Sequence, residues 1–236
     1  MTGPLKKIVV AISGRGLNLA ALVEASRESG FPAEIAGVVS DNPEARGLVF
    51  ATSAGIPTRV IERKDFASRQ DHDAAMHEAF MAMGADLVAL AGYMRLFTPV
   101  VVERWLGRMV NIHPALLPAF KGLDTHQRAI DAGARIHGCT VHFVTLGMDD
   151  GPIIAQAAVP VLVSDTAETL SARVLKAELR LYPIALKLLA EGAVRMEGDR
   201  AVFGGGRMAR RDTAMLLSPE FDAGPPNIED LARFTP

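Results

Sequence analysis

Short apolar runs alternate with helix-length segments along most of the chain. Lys7 to Ile12 is short, β-branched and apolar, which predicts a buried strand. Ser13-Gly-Arg-Gly-Leu-Asn18 interrupts it, and Leu19 to Ser29 continues with helical spacing. The same rhythm predicts strands at Glu34 to Ser40, Thr58 to Ile61 and Asp86 to Ala91. Between them it predicts helices at Glu44 to Ala54 and Ser68 to Met83, ended by Gly55 and Gly84. Strand and helix alternating in this way imply a parallel sheet covered on both faces, doubly wound through right-handed crossovers. Ligands of such sheets sit beyond the C-terminal strand ends, so the loops starting at Ser13, Ser40, Gly92 and Asn111 define the working edge.

After Pro99 the rhythm changes. A short helix is predicted at Val100 to Trp105, a fifth strand at Met109 to Ile112, and a helix at Asp124 to Asp131. Gly138 to Val144 and Ile153 to Val163 read as an antiparallel pair of strands, with Pro160 marking a sheet edge. Thr166 to Ala190 is one long helix, with Asp165 and Glu168 as its capping box and Pro183 expected to kink or end its first half. Val194 to Phe203 is a hairpin turning at Gly198. Residues 204–236 are Gly-rich, then basic, then Pro-rich, and are expected to be a poorly packed tail. With no repeat and no clean linker, residues 1–203 read as one domain, in two halves of about 1–105 and 106–203.

Composition supports a globular chain. Of 236 residues, 49% are apolar and 22% charged, enough for a sizeable core. Lysine plus arginine is 25 against 27 acidic residues, which argues against nucleic acid as the main partner. One cysteine, Cys139, excludes an internal disulfide and a cysteine-cluster metal site. No run approaches the roughly 20 apolar residues of a membrane span. The expectation is a cytoplasmic protein that meets neither membrane nor nucleic acid.

Two constellations carry candidate chemistry. Glycines in Ser13-Gly-Arg-Gly-Leu-Asn18 allow close backbone approach at a helix start, where free N–H groups attract an anion. The same residues also suit a plain tight turn with Asn18 as helix cap. Asn111 and His113 lie two apart at the end of a strand and so face the same side. An amide N–H donor can stabilise an oxyanion, and a histidine can move protons near neutral pH. Asp149, in the loop after the strand that holds His142, is a carboxylate able to orient His113. His72 and His77 read as a solvated helix face, His126 as a helix-start residue, and the ten methionines as core filler. No hydrolase elbow or Cys–His nucleophile pattern is present, and no spacing supports a metal.

Six motifs occur in order: Ser13-Gly-Arg-Gly-x-Asn18, Leu90 to Arg95, Asn111-Ile-His-Pro-Ala-Leu-Leu-Pro118, His137 to Val144, Asp149-x-Gly-Pro-Ile-Ile154, and Glu178 before Tyr182-Pro183. From about Lys6 to Phe203 the chain resembles the phosphoribosylglycinamide formyltransferases, within the folate-dependent formyltransferases. The resemblance implies a Rossmann-like fold and transfer of a formyl group from 10-formyltetrahydrofolate to the amine of glycinamide ribonucleotide in purine biosynthesis. It implies Asn111, His113 and Asp149 as the catalytic trio. Gly14, Arg15, Gly16, Leu17, Asn18 and Glu178 match the phosphate and nucleotide site. Met94, Arg95, Leu96, Phe97, Val144 and Met148 match the folate pocket. The expected partners are small molecules alone, with no metal, acting in a monomer or homodimer. The sequence departs from the family pattern at Leu17, Lys121, Asp124 and Leu179. Amino-sugar formyltransferases and formyltetrahydrofolate hydrolases share Asn-x-His and Asp, and a folate or nucleotide binding module without catalysis is the other alternative. The hydrolases carry an N-terminal regulatory domain, whereas here the first strand begins at once. The related tRNA enzymes carry a basic C-terminal barrel, and too few residues follow Phe203 for one.

Overall fold

A computed structural model describes residues 4–204, so the expected tail lies outside the described residues. The chain runs β1 (Lys6–Ile12), α1 (Leu17–Ser26), β2 (Ala33–Ser40), α2 (Arg46–Ser53), β3 (Thr58–Val60), α3 (Arg69–Ala82), β4 (Leu87–Leu90), α4 (Pro99–Arg104) and β5 (Met109–His113). It continues with α5 (Thr125–Asp131), β6 (Ile136–Phe143), β7 (Ile153–Pro160), α6 (Ala167–Ala190), β8 (Val194–Glu197) and β9 (Arg200–Phe203). Seven strands form one sheet in the order β3-β2-β1-β4-β5-β6-β7. The pairs from β3 to β5 are parallel, and β6 and β7 join antiparallel. The strands β8 and β9 form a separate two-stranded hairpin. This is the doubly wound, mostly parallel architecture with an antiparallel C-terminal part that the sequence predicted.

Alternate residues of β1 feed two cores. Ile8, Val10 and Ile12 pack with Leu19, Leu48, Tyr182 and Leu186, under α1, α2 and α6. Val9 and Ala11 pack on the other face with Met76, Phe80 and Trp105, under α3 and α4. A strand buried on both faces reads as a continuous apolar run, which is why these strands were legible. β1 pairs with β2 on one side and β4 on the other. The chain therefore leaves β1 and β4 in opposite directions, which opens a crevice between the loops that follow them.

Several local expectations needed correction. The capping box of α6 is Thr166 with Thr169, not Asp165 with Glu168. Asp165 instead holds Arg173 through two bonds of 2.6 and 2.9 Å, which keeps its carboxyl well below the usual range. The helix continues through Pro183. A proline in a helix interior costs about 3 kcal/mol, but here buried Tyr182, Ala185, Leu186 and Leu189 pin the turns on either side to the core. The Tyr182 hydroxyl lies 3.0 Å from the Leu90 carbonyl and 3.3 Å from that of Val110, beneath the central strands.

The histidines on α3 are not a solvated face. His72 is fully buried, with Nε2–H donating to Ile61 O at 3.0 Å and Nδ1 3.4 Å from Asp73. His77 Nδ1 accepts from the Trp105 indole at 3.0 Å. Met76 and Met109 fill the core, but Met81, Met94 and Met148 are exposed.

Candidate active site

A cleft of about 700 Å³ opens at the C-terminal edge of the sheet. Every residue that the sequence singled out for reaction or substrate lines it: Gly14 to Asn18, Met94 to Phe97, Asn111, His113, Val144, Met148, Asp149 and Glu178.

One wall is the β1–α1 turn. Gly16 has φ 78°, and a Cβ there would lie 2.5 Å from Gly47 Cα. Gly47 N–H in turn donates to Gly14 O at 3.1 Å, so the starts of α1 and α2 nest backbone against backbone. No side chain caps α1, and its first N–H groups have no acceptor inside the helix. The turn is thus suited to an anion. Asn18 is not a helix cap. Its Nδ2 donates to Glu178 Oε2 on α6 at 2.8 Å, while its Oδ1 is buried without a partner. Burial raises the pKa of Glu178. Leu17 is 41% exposed at the cleft rim.

Opposite lies the loop after β4. Tyr93 and Phe97 stack with centroids 4.9 Å apart and form its apolar base, while Met94 and Leu96 stay exposed. Arg95 does not extend freely into the cleft, because its Nε donates to Asp41 at 2.6 Å. The loop is further held at Leu96 O by Arg69 and at Thr98 N–H by Asp73.

Between these walls stands the polar centre, built on the β5–β6 pairing. In that register Asn111 faces His142 and His113 faces Thr140. The His142 Nδ1 lies 2.8 Å from the Phe143 carbonyl, which can only accept, so Nδ1 carries the proton. Burial lowers the pKa of His142, which favours this neutral form. Its Nε2 then accepts from Asn111 Nδ2 at 3.3 Å, fixing the amide. His113 has Nδ1 3.3 Å from Asp149 Oδ2 and Nε2 3.0 Å from Phe120 O. Nε2 thus faces a backbone carbonyl and Nδ1 a carboxylate. Asp149 Oδ2 also accepts the Gly122 N–H at 2.9 Å. Thr140 bonds Ala115 O and Leu117 N–H, holding the segment after His113.

Among the described residues, the non-glycine positions with positive φ are Phe120 at 54°, Asp124 at 55° and Asp149 at 50°. All three flank this centre, and strained backbone of this kind gathers where a side chain must be aimed. Sequence reasoning missed the parts played by Asp41, Phe120 and Gly122, which act through partners distant in the chain. It named His142 without its partner, because the β5–β6 register that sets it opposite Asn111 spans a long connection containing α5. Cys139 lies on the other face of β6, where burial pushes its thiol up to about 12. Among the described residues no cluster of three or more His, Cys, Asp or Glu could hold a metal ion, and no helix is long and apolar enough to cross a membrane.

A model of the formyl transferase family matches residues 6–186. The chain belongs to the formyl transferase family. The chain is 42% identical over 201 residues to the phosphoribosylglycinamide formyltransferase of Haemophilus influenzae, covering 85% of this chain and 95% of that one. It is 47% identical over 190 residues to the trifunctional purine biosynthetic protein adenosine-3 of Gallus gallus, covering 80% of this chain but spanning 19% of that protein's length. Among solved structures, the phosphoribosylglycinamide formyltransferase of Brucella melitensis superposes with a TM-score of 0.78 at 50% identity, covering 91% of this chain and 99% of the other.

Proposed function

We propose that this chain transfers the formyl group of 10-formyltetrahydrofolate to the amine of glycinamide ribonucleotide, as a cytoplasmic step of de novo purine biosynthesis. The observation that carries this reading is the meeting of Asn111, His113 and Asp149 in one cleft between an anion-suited turn and an apolar loop. The likeness to a phosphoribosylglycinamide formyltransferase and to a trifunctional purine biosynthetic protein supports the same acceptor and the same pathway.

In this account the nucleotide phosphate sits on the N–H groups from Arg15 to Asn18, at the start of α1. The folate lies against the Met94 to Phe97 loop, with Val144 and Met148 closing over it. The amine attacks the formyl carbon, a C–N bond forms, and the carbonyl electron pair moves to oxygen. The second Asn111 N–H, left over from its bond to His142, donates to that oxyanion. His113 Nε2–H turns from the Phe120 carbonyl to the same oxygen, while Asp149 holds Nδ1 and stabilises the positive ring. Carbonyl reformation then breaks the bond to the folate nitrogen. One proton leaves the amine and one reaches that nitrogen, a transfer that suits His113 or a water beside Asp149. The turnover needs no redox change and no covalent enzyme intermediate.

The test is incubation with 10-formyltetrahydrofolate and glycinamide ribonucleotide, read by folate absorbance and product mass. Formylated nucleotide in step with free tetrahydrofolate supports the reading. Formate in its place would make the chain a hydrolase.

A further inference from the structure

The crevice at a topological switch point poses a mechanical problem. The last ladder bond between the loops after β1 and β4 is Ser13 N–H to Gly92 O, at 3.2 Å. Past it the two loops diverge, and the loop after β4 has no regular structure of its own from Gly92 to Thr98. A substrate surface made of such a loop needs ties from outside it.

Arg69 and Asp73 hold the loop's far end, at Leu96 and Thr98, and one side chain ties its near end, at Met94 and Arg95. Asp41, just past β2, accepts the Ser13 hydroxyl on Oδ1 at 2.6 Å and Arg95 Nε on Oδ2 at 2.6 Å. The Ser13 oxygen in turn accepts the Met94 N–H at 3.0 Å. The linkage therefore closes on itself through the ends of β1, β2 and β4. Its carboxylate is withdrawn, with the Asp41 side chain 6% exposed, while the Arg95 side chain is 49% exposed. A withdrawn carboxylate is costly unless its oxygens are engaged, and here each has its own donor. Nε is committed to Asp41, and the two terminal NH2 groups of Arg95, a residue that lines the cleft, are left to donate elsewhere. Among the described residues they have no protein partner.

We propose that Asp41 is a positioning residue for the folate. By holding Ser13 and Arg95 it sets both the Met94 backbone and the Arg95 guanidinium before the co-substrate arrives. This rests on the reading of the Met94 to Phe97 loop as the folate pocket, and it goes beyond that reading in assigning a function to a residue that need not touch the folate.

The test is calorimetric titration of the full chain with a folate analogue that carries no transferable group, and separately with glycinamide ribonucleotide. Asp41→Asn keeps an acceptor for Ser13 and loses the charge that holds Arg95. It is expected to weaken analogue binding about tenfold and leave nucleotide binding within twofold, with an unchanged thermal midpoint. Arg95→Ala made in the Asp41→Asn background is expected to add less than twofold, because the two act as one unit. Steady-state kinetics is expected to show the same pattern, with folate KM raised and kcat nearly unchanged. Equal analogue affinity in wild type and Asp41→Asn, or fully additive losses in the double variant, would overturn the positioning role and leave the formyl-transfer reading standing. A wild type that binds no folate analogue would overturn both.

Discussion

The Asn111 amide meets His142 Nε2 at 3.3 Å, and the two residues are direct partners across the β5–β6 ladder. Strand pairing thus places a neutral histidine behind the amide proposed to donate to the oxyanion. His142→Phe removes the acceptor and leaves Asn111 free to rotate. We expect kcat to fall about tenfold with KM values little changed, a fraction of the 10²–10³ lost when an oxyanion donor is deleted outright. Unchanged kcat in a folded variant would show that Asn111 is held by other means.

The turn from Gly14 to Asn18 depends on backbone contact. Gly16→Ala would set a Cβ 2.5 Å from Gly47 Cα at a φ of 78°. We expect a loss of stability of about 1–3 kcal/mol and weaker nucleotide binding, read by denaturant titration and calorimetry. A variant as stable as wild type would mean that α2 shifts at no cost.

Leu17 offers the opposite test. Its side chain is 41% exposed, so shortening it forfeits little packing. Leu17→Ser adds a hydroxyl beside the proposed phosphate site. Nucleotide binding is expected to tighten by at most about 1.5–3 kcal/mol, the worth of a hydrogen bond to a charged group. Calorimetric titration with glycinamide ribonucleotide checks it, and weaker binding would mean that Leu17 is itself an adapted contact.

Acid should destabilise the fold through its buried histidines. Burial, with His126 beside it, brings His137 down from 6.5 to about 4 against the opposing pull of the Pro114 backbone. The pKa values of His126 and His142 are lowered for the same reason. The folded values lie below the unfolded one. As pH drops past about 6.5 the unfolded chain binds protons that the folded chain refuses, so stability is full above that value and is lost down toward pH 4. A tenfold difference in proton affinity between the folded and unfolded chain is worth about 1.4 kcal/mol. Urea midpoints from pH 7 to 4 are expected to fall less steeply for His137→Leu than for wild type. Parallel profiles would remove His137 from the account.

The sheet was legible because parallel strands buried on both faces leave continuous apolar runs, as Ile8 to Ile12 do. The candidate site's position was legible because Asn111 and His113 share a strand face at the sheet's C-terminal edge, where both line the cleft. What stayed hidden was long-range. Asn18 suits a helix cap by local rules, yet its partner Glu178 lies 160 residues away. His72 and Asp73 look solvated on a polar helix, yet their partners are Ile61 and Thr98 in other elements. The capping box of α6 shifted by one residue because Asp165 is claimed by Arg173. In each case a neighbour in space decided between two readings that the local sequence allowed.

In the proposed reaction His113, held by Asp149, drives formyl transfer to glycinamide ribonucleotide. Single-turnover transfer, with enzyme in excess over 10-formyltetrahydrofolate, tests it most directly in wild type, His113→Ala and Asp149→Asn. The account requires formylated nucleotide from wild type and a rate at least about a hundredfold lower in each variant, the usual size of lost acid–base or oxyanion help. A folded His113→Ala variant that forms the product at the wild-type rate would contradict it.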